Sequence, residues 1–189
     1  MPKLIKNGAL VDDQWTVLNE ATGPEVLRIV RGKNFIVPLK FWQMFRPEIE
    51  EFGADISIWL NSDENVDAIA EEIHSFPMIA LNFPVFSDGR SYTNARELRE
   101  KFNYQGEIRA IGDVLRDQLY YMSRCGFDAF SLRFDQDADA CLEAFKDFKT
   151  NYQGHRCRTR SLVPPTLTDY SRLSALAAID HFTRIPSAT

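Results

Sequence analysis

The sequence is poor in cysteine: Cys125, Cys141 and Cys157 are the only three, and no two are spaced as C-x-x-C. Zinc-ribbon, thioredoxin-like and ordinary iron–sulfur spacings are therefore absent. Histidine is equally scarce, at His74, His155 and His181, and neither a metal-ligand cluster nor a hydrolytic triad is visible. The nine glycines form no G-x-G-x-x-G and no Walker A loop, so no cofactor is evident and no metal is expected. No apolar run reaches about 18 residues, so no membrane span is expected. The opening Met1-Pro2-Lys3-Leu4-Ile5-Lys6 lacks the apolar core of a signal peptide. Positive charge is in deficit, with 22 Lys+Arg against 27 Asp+Glu. A nucleic-acid partner is not expected from such a balance. Sparse cysteine makes a reducing cytoplasm the expected compartment.

What is present is an ordinary globular composition, 44% hydrophobic and 26% charged, able to bury a real core. The 189 residues are too few for a full (β/α) barrel of eight units, which takes about 250. Charge divides the chain. Residues 1–150 carry 17 Lys+Arg against 25 Asp+Glu, whereas 151–189 carry 5 against 2. Three parts are expected: a small β-rich N-terminal segment over 1–34, a βα-repeat domain over 35–150, and a basic, loosely ordered tail over 151–189 containing Pro164-Pro165.

In the first part Leu4-Ile5-Lys6 and Ala9-Leu10-Val11 flank Asn7-Gly8, a strong hairpin signal. Val26 to Val30 reads as a further strand. From residue 35 strand-like runs alternate with helical stripes. Phe35-Ile36-Val37 precedes Phe41, Phe45, Ile49 and Phe52; Asp55 to Leu60 precedes Val66, Ile69, Ala70 and Ile73. Met78 to Phe83 precedes Ala95, Leu98 and Phe102; Glu107 to Gly112 precedes Leu115, Leu119 and Met122. Ala129 to Leu132 precedes Cys141, Leu142, Phe145 and Phe148. Gly53, Gly106 and Gly126 sit where helices end, and Ser62, Asp113 and Asp135 where N-caps are wanted. Such alternation implies an α/β fold of about five consecutive βα units with a parallel sheet. One strand face is apolar (Ile56/Ile58/Leu60, Ile79/Leu81/Phe83). The other is small or polar (Ser57/Trp59/Asn61, Ala80/Asn82, Arg109/Ile111/Asp113, Ser131/Arg133). That asymmetry suggests a partial TIM-barrel-like sheet; a flavodoxin-like doubly wound sheet is the alternative.

In either architecture ligands bind at the carboxyl ends of the strands. The rule brings together Asn82, Asp88, Arg90, Arg109 and Arg133 as candidate substrate-binding residues, and Asp113 as a candidate catalytic base or arginine-orienting group. Arginine forks suit planar or tetrahedral oxyanions. The blander account is an N-cap at Asp113 with a structural Asp113–Arg133 ion pair. Asp88-Gly89-Arg90 before a helix either holds an anion on backbone N–H groups or is simply a tight turn. Asp135-Gln136-Asp137-Ala138-Asp139 lacks the later residues of a calcium loop and reads as an acidic first helical turn.

Several stretches carry a resemblance: Ile36-Val37-Pro38-Leu39-x-x-Trp42; Phe83-Pro84-x-Phe86-x-Asp88-Gly89-Arg90-x-Tyr92-x-x-Ala95-Arg96-x-Leu98-Arg99; Arg109-Ala110-x-Gly112-Asp113-Val114-Leu115-Arg116-Asp117-Gln118; and Arg124-Cys125-Gly126-Phe127-Asp128-Ala129-Phe130. In these the chain resembles the DUF934 family, bacterial proteins of unknown function described as oxidoreductases of sulfite reduction. The resemblance implies an accessory role in assimilatory sulfite reduction, beside the sulfite reductase hemoprotein or its electron donor. Two other readings stay open: an oxyanion-binding enzyme using the Arg/Asp cluster, and a structural subunit whose exposed sheet edges pair in a homodimer.

Overall fold

The computed structural model describes residues 3–18, 23, 34–51 and 56–146. Val26 to Val30, Gly53, Phe148 and the tail 151–189 lie outside them. Strands β1 (Lys3–Lys6) and β2 (Ala9–Asp12) form the expected hairpin. Asn7 and Gly8 both take positive φ, 51° and 74°, the two-residue turn whose twist matches its strands. Strand β3 (Trp15–Val17) follows at once.

Five βα units then run in order. Strand β4 (Asn34–Pro38) leads into α1 (Leu39–Glu51), which kinks at Phe45 ahead of Pro47. Proline there has no N–H to give and crowds the preceding turn. Strand β5 (Ile56–Leu60) is followed by two 3-10 turns, Val66–Ile69 and Ile73–Ser75. Strand β6 (Met78–Phe83) precedes α2 (Arg90–Glu100). Strand β7 (Glu107–Gly112) precedes α3 (Leu119–Cys125), and β8 (Ala129–Ser131) precedes α4 (Ala138–Glu143).

The α-helix expected after β5 is absent. Its stripe is real, since Val66, Ile69 and Ile73 are buried, but i→i+3 bonds such as Ala68 N–H to Asn65 C=O replace helical ones. Asn65 accepts from the Asp67 N–H and starts the tight turn, a local bond that competes with helix. After α2 the left-handed residue is Asn103 (φ 50°), not Gly106; Gly126 (φ 110°) ends α3 as expected.

Among the described residues the sheet has eight strands in the order β2-β1-β8-β7-β6-β5-β4-β3. Strands β3 to β8 lie side by side in chain order and parallel. A doubly wound sheet would reverse its order at a switch point; none occurs here. The hairpin joins antiparallel through β1 and β8, so the N-terminal strands extend the same sheet at both edges. Strands β2 and β3 are thus its opposite edges, yet only Asp13 and Gln14 separate them. Flat, eight strands would hold the edges about 34 Å apart; three Cα steps span at most about 11 Å. The sheet must curl back on itself, and among the described residues no ladder joins β2 to β3. The expectation of widely exposed edges changes accordingly: the two edges approach each other.

The outer face carries Phe35, Val37, Ile58, Leu60, Ile79, Leu81 and Phe83, all buried, and Leu98, Leu119 and Met122 of the helices are buried with them. The inner face is not uniformly small or polar. Ile36, Met78, Ala80 and Ile111 form a buried apolar layer, with Trp15, Val17 and Trp59 packed against it. Polar groups sit above and below that layer. No helix among the described residues is long and apolar enough to cross a membrane.

Candidate functional site

The carboxyl ends of the parallel strands surround a cleft of about 610 Å³. Val17, Trp59 and Ile111 supply its apolar wall, and Asn82, Asp113, Ser131 and Arg133 its polar one. Trp59 is fixed by its indole N–H, which donates to the Leu18 carbonyl at 2.9 Å. Gly112 ends β7 with φ +92°, and a Cβ there would stand 2.4 Å from the Phe83 carbonyl oxygen. Only glycine lets the chain turn this close to β6. The turn delivers Asp113, whose N–H donates to the Phe83 carbonyl at 2.8 Å.

Asp113 ties two loops together. Its Oδ1 accepts from Arg133 Nη1 at 2.7 Å, and its Oδ2 accepts from the Phe86 N–H at 2.9 Å. The Phe86 carbonyl accepts in turn from Gln118 Nε2 at 2.8 Å. Arg133 also grips Asp135 with two parallel bonds, 2.6 Å from Nε and 2.7 Å from Nη2. That fork is the strong form of charge-assisted pairing. It pulls the Asp135 carboxyl down to about 2 and raises the Arg133 guanidinium above its usual range, Asp135 contributing more than Asp113.

A second pair lies on the neighbouring loops. Arg90 donates to both oxygens of Asp88, at 3.0 and 2.7 Å, and to Ser62 Oγ at 2.9 Å. Arg90 and Ser62 hold the Asp88 carboxyl well below the usual carboxylate range. Asp88 Oδ1 also accepts from the Arg90 N–H at 3.2 Å, so the start of α2 already faces a carboxylate of its own chain. Between the pairs, Asn82 Nδ2 donates to Asn61 Oδ1 at 3.0 Å, and the Asn82 carbonyl accepts from Ser91 Oγ at 2.6 Å.

Five of the six candidate residues are therefore brought to one end of the sheet. Arg109 is not among them. It lies three residues into β7's start-to-end run, about 13 Å of strand rise below Asp113, and is 2% exposed. Its Nε donates to Glu107 at 2.9 Å and its Nη1 to Asp13 at 2.8 Å. Lys6 adds a 2.6 Å contact to Glu107. This network fixes the link between β2 and β3 against the inner face. Ser62, Asp113 and Asp135 do not act as helix N-caps; Asn65, Gln118 and Asp137 hold those places. Among the described residues no three of His, Cys, Asp and Glu are grouped to hold a metal. Cys125 and Cys141 are buried free thiols, and burial pushes both thiols up.

Sequence reasoning passed over Phe86 and Phe134. Phe134 is 99% exposed and Phe86 60%, on the two loops that Asp113 joins. The signal was available: each is an aromatic in a polar loop, outside every periodic stripe.

Fold and site together define an α/β chain whose polar groups gather over the carboxyl ends of consecutive parallel strands. The model of a family of bacterial proteins of unknown function, DUF934, matches residues 57–163, and the chain belongs to that family. The match begins in β5 and takes in Asn82, Asp88, Arg90, Asp113 and Arg133. No curated protein matches the chain.

Proposed function

We propose that this protein is an accessory protein of assimilatory sulfite reduction, acting beside the sulfite reductase hemoprotein or its electron donor by direct contact. The sulfur assignment rests on the family resemblance. The contact reading rests on one observation: Arg90 and Arg133, two arginines of the carboxyl-end loops, are already held by carboxylates of the same chain, Arg133 by two and Arg90 by one. An arginine so occupied offers a free oxyanion little net attraction. Exposed aromatics beside a cleft are instead the anatomy of protein recognition. We read the curled sheet as a partial TIM-barrel-like arrangement and place the protein in the cytoplasm, where its free thiols would stay reduced.

A second reading is favoured by the cleft itself. Its volume and its place at the strand ends suit a small molecule, with Asn82 and Arg133 to orient it and Asp113 as base. Affinity purification of the tagged full chain from its native cells, grown on sulfate as sulfur source, tests the first reading. The hemoprotein or its reductase partner is expected to co-purify in stoichiometric amount. Recovery of neither, together with tight binding of a small oxyanion by calorimetry, would overturn the contact reading in favour of the second.

A further inference from the structure

We infer that the rim carrying Phe86 and Phe134, with the cleft beneath it, docks a lysine- or arginine-rich segment of a partner protein that seats one apolar side chain in the cleft. The inference rests on the contact reading above and names where and what is bound.

Three observations carry it. First, the aromatics are presented, not merely exposed. Phe86 has its N–H held by Asp113 and its carbonyl held by Gln118, while its ring stands in solvent beside a half-exposed Val85. Phe134 lies between Arg133 and Asp135, whose side chains clasp each other. A rigid aromatic loses little freedom when a partner covers it, which is how an anchor gains affinity. Second, the cleft below has an apolar wall of Val17, Trp59 and Ile111 and, at about 610 Å³, ample room for an inserted side chain. Third, charge selects the occupant. The loops 61–65, 84–90, 113–118 and 132–139 hold eight carboxylates against three arginines. Arg90 and Arg133 are paired within those loops, so the residual field is negative and favours a cationic segment. Asp113 is then a positioning residue: it sets the distance between the Phe86 loop and the Arg133 loop.

Three labelled peptides test this on the full chain by fluorescence anisotropy: one lysine-rich with a central tryptophan, its tryptophan-to-alanine version, and a glutamate-rich version. The first is expected to bind, the second to bind about tenfold more weakly, and the third not at all. Binding should weaken with added salt. Phe134→Ala and Phe86→Ala should each cost about tenfold, and both residues are mostly exposed. Met44→Ala, at an exposed site on α1, should change nothing. Equal binding by Phe134→Ala and the parent, or equal binding of the glutamate peptide, would overturn the proposal. The two levels of the reading separate in the co-purification. Recovery of the hemoprotein unchanged by Phe86→Ala and Phe134→Ala overturns this surface while the accessory role stands. Absence of both the hemoprotein and its reductase partner from the parent's eluate overturns the accessory role, and the peptides still decide the surface.

Discussion

Replacing Arg99 with methionine should unfold the protein far more readily than replacing any arginine of the cleft. Arg99 lies on α2 with a side chain only 5% exposed. Its Nε donates to the Gly126 carbonyl at 3.0 Å, and its Nη1 to the carbonyls of Tyr104 and Gly106 at 2.6 and 2.8 Å. Its Nη2 donates to Asp128, whose Oδ2 also accepts from the Ile108 N–H. One side chain thus joins α2, the turn after α3 and the entry to β7. Arg99→Met leaves three carbonyls and a carboxylate without their donor. Breaking a buried pair on one side costs about 3–5 kcal/mol, a large share of the roughly 5–15 kcal/mol that holds a domain together. With a urea slope of about 2 kcal/mol/M, a loss of about 4 kcal/mol lowers the midpoint by about 2 M. The pH dependence has a definite sign. Burial pushes the Asp128 carboxyl above its ordinary value, and Arg99 draws it partly back. A carboxyl raised on folding contributes most at low pH, and that contribution is lost as pH rises through its folded value. Removing Arg99 deepens this loss, so the gap between variant and parent should be wider at pH 7 than at pH 4. Arg99→Met/Asp128→Asn should recover part of the stability, because the unpaired charge is gone. Urea titrations at both pH values supply the measurement. A loss below about 1 kcal/mol, against the figure expected for a buried pair, would refute the reasoning, as would a gap independent of pH.

Two smaller perturbations follow from the site. Gly112→Ala places a Cβ 2.4 Å from the Phe83 carbonyl oxygen at φ +92°, and should cost about 2 kcal/mol or more in urea unfolding. Arg133→Ala should return the Asp135 titration from about 2 towards the ordinary carboxylate value, read by carbon NMR. Its folded value being depressed, the stability Asp135 contributes is present above the unfolded pKa and lost as pH falls through about 2. An unmoved Asp135 titration would mean that Arg133 is not its partner.

Periodicity located all five βα units because each strand and each stripe must bury one apolar face. It could not reveal that the crossover after β5 winds as 3-10 turns: Val66, Ile69 and Ile73 are buried in either winding, and the local bond from Asn65 decides between them. Four of the loops were placed at one end by the carboxyl-end rule, so the Asp113–Arg133 and Asp88–Arg90 pairs were within reach of sequence. Arg109 was misplaced because its face was legible and its depth along the strand was weighed too lightly. The strand faces pointed to a curled, partial-barrel sheet, but the joining of the N-terminal hairpin to that sheet was hidden for a different reason. It depends on pairing between β1 and β8, residues more than a hundred apart, and no local pattern encodes such a contact.

That pairing bears on how the chain is made. Strand β1 ends at Lys6, and its partner β8 ends at Ser131. At a synthesis rate of about 5–20 residues per second, the partner follows by roughly 6–25 s. During that interval the hairpin has no neighbour in the sheet, and Arg109, which holds Asp13 in the finished fold, has itself only lately left the ribosome. Strands made before the rest of the sheet are thus among the last to find their place.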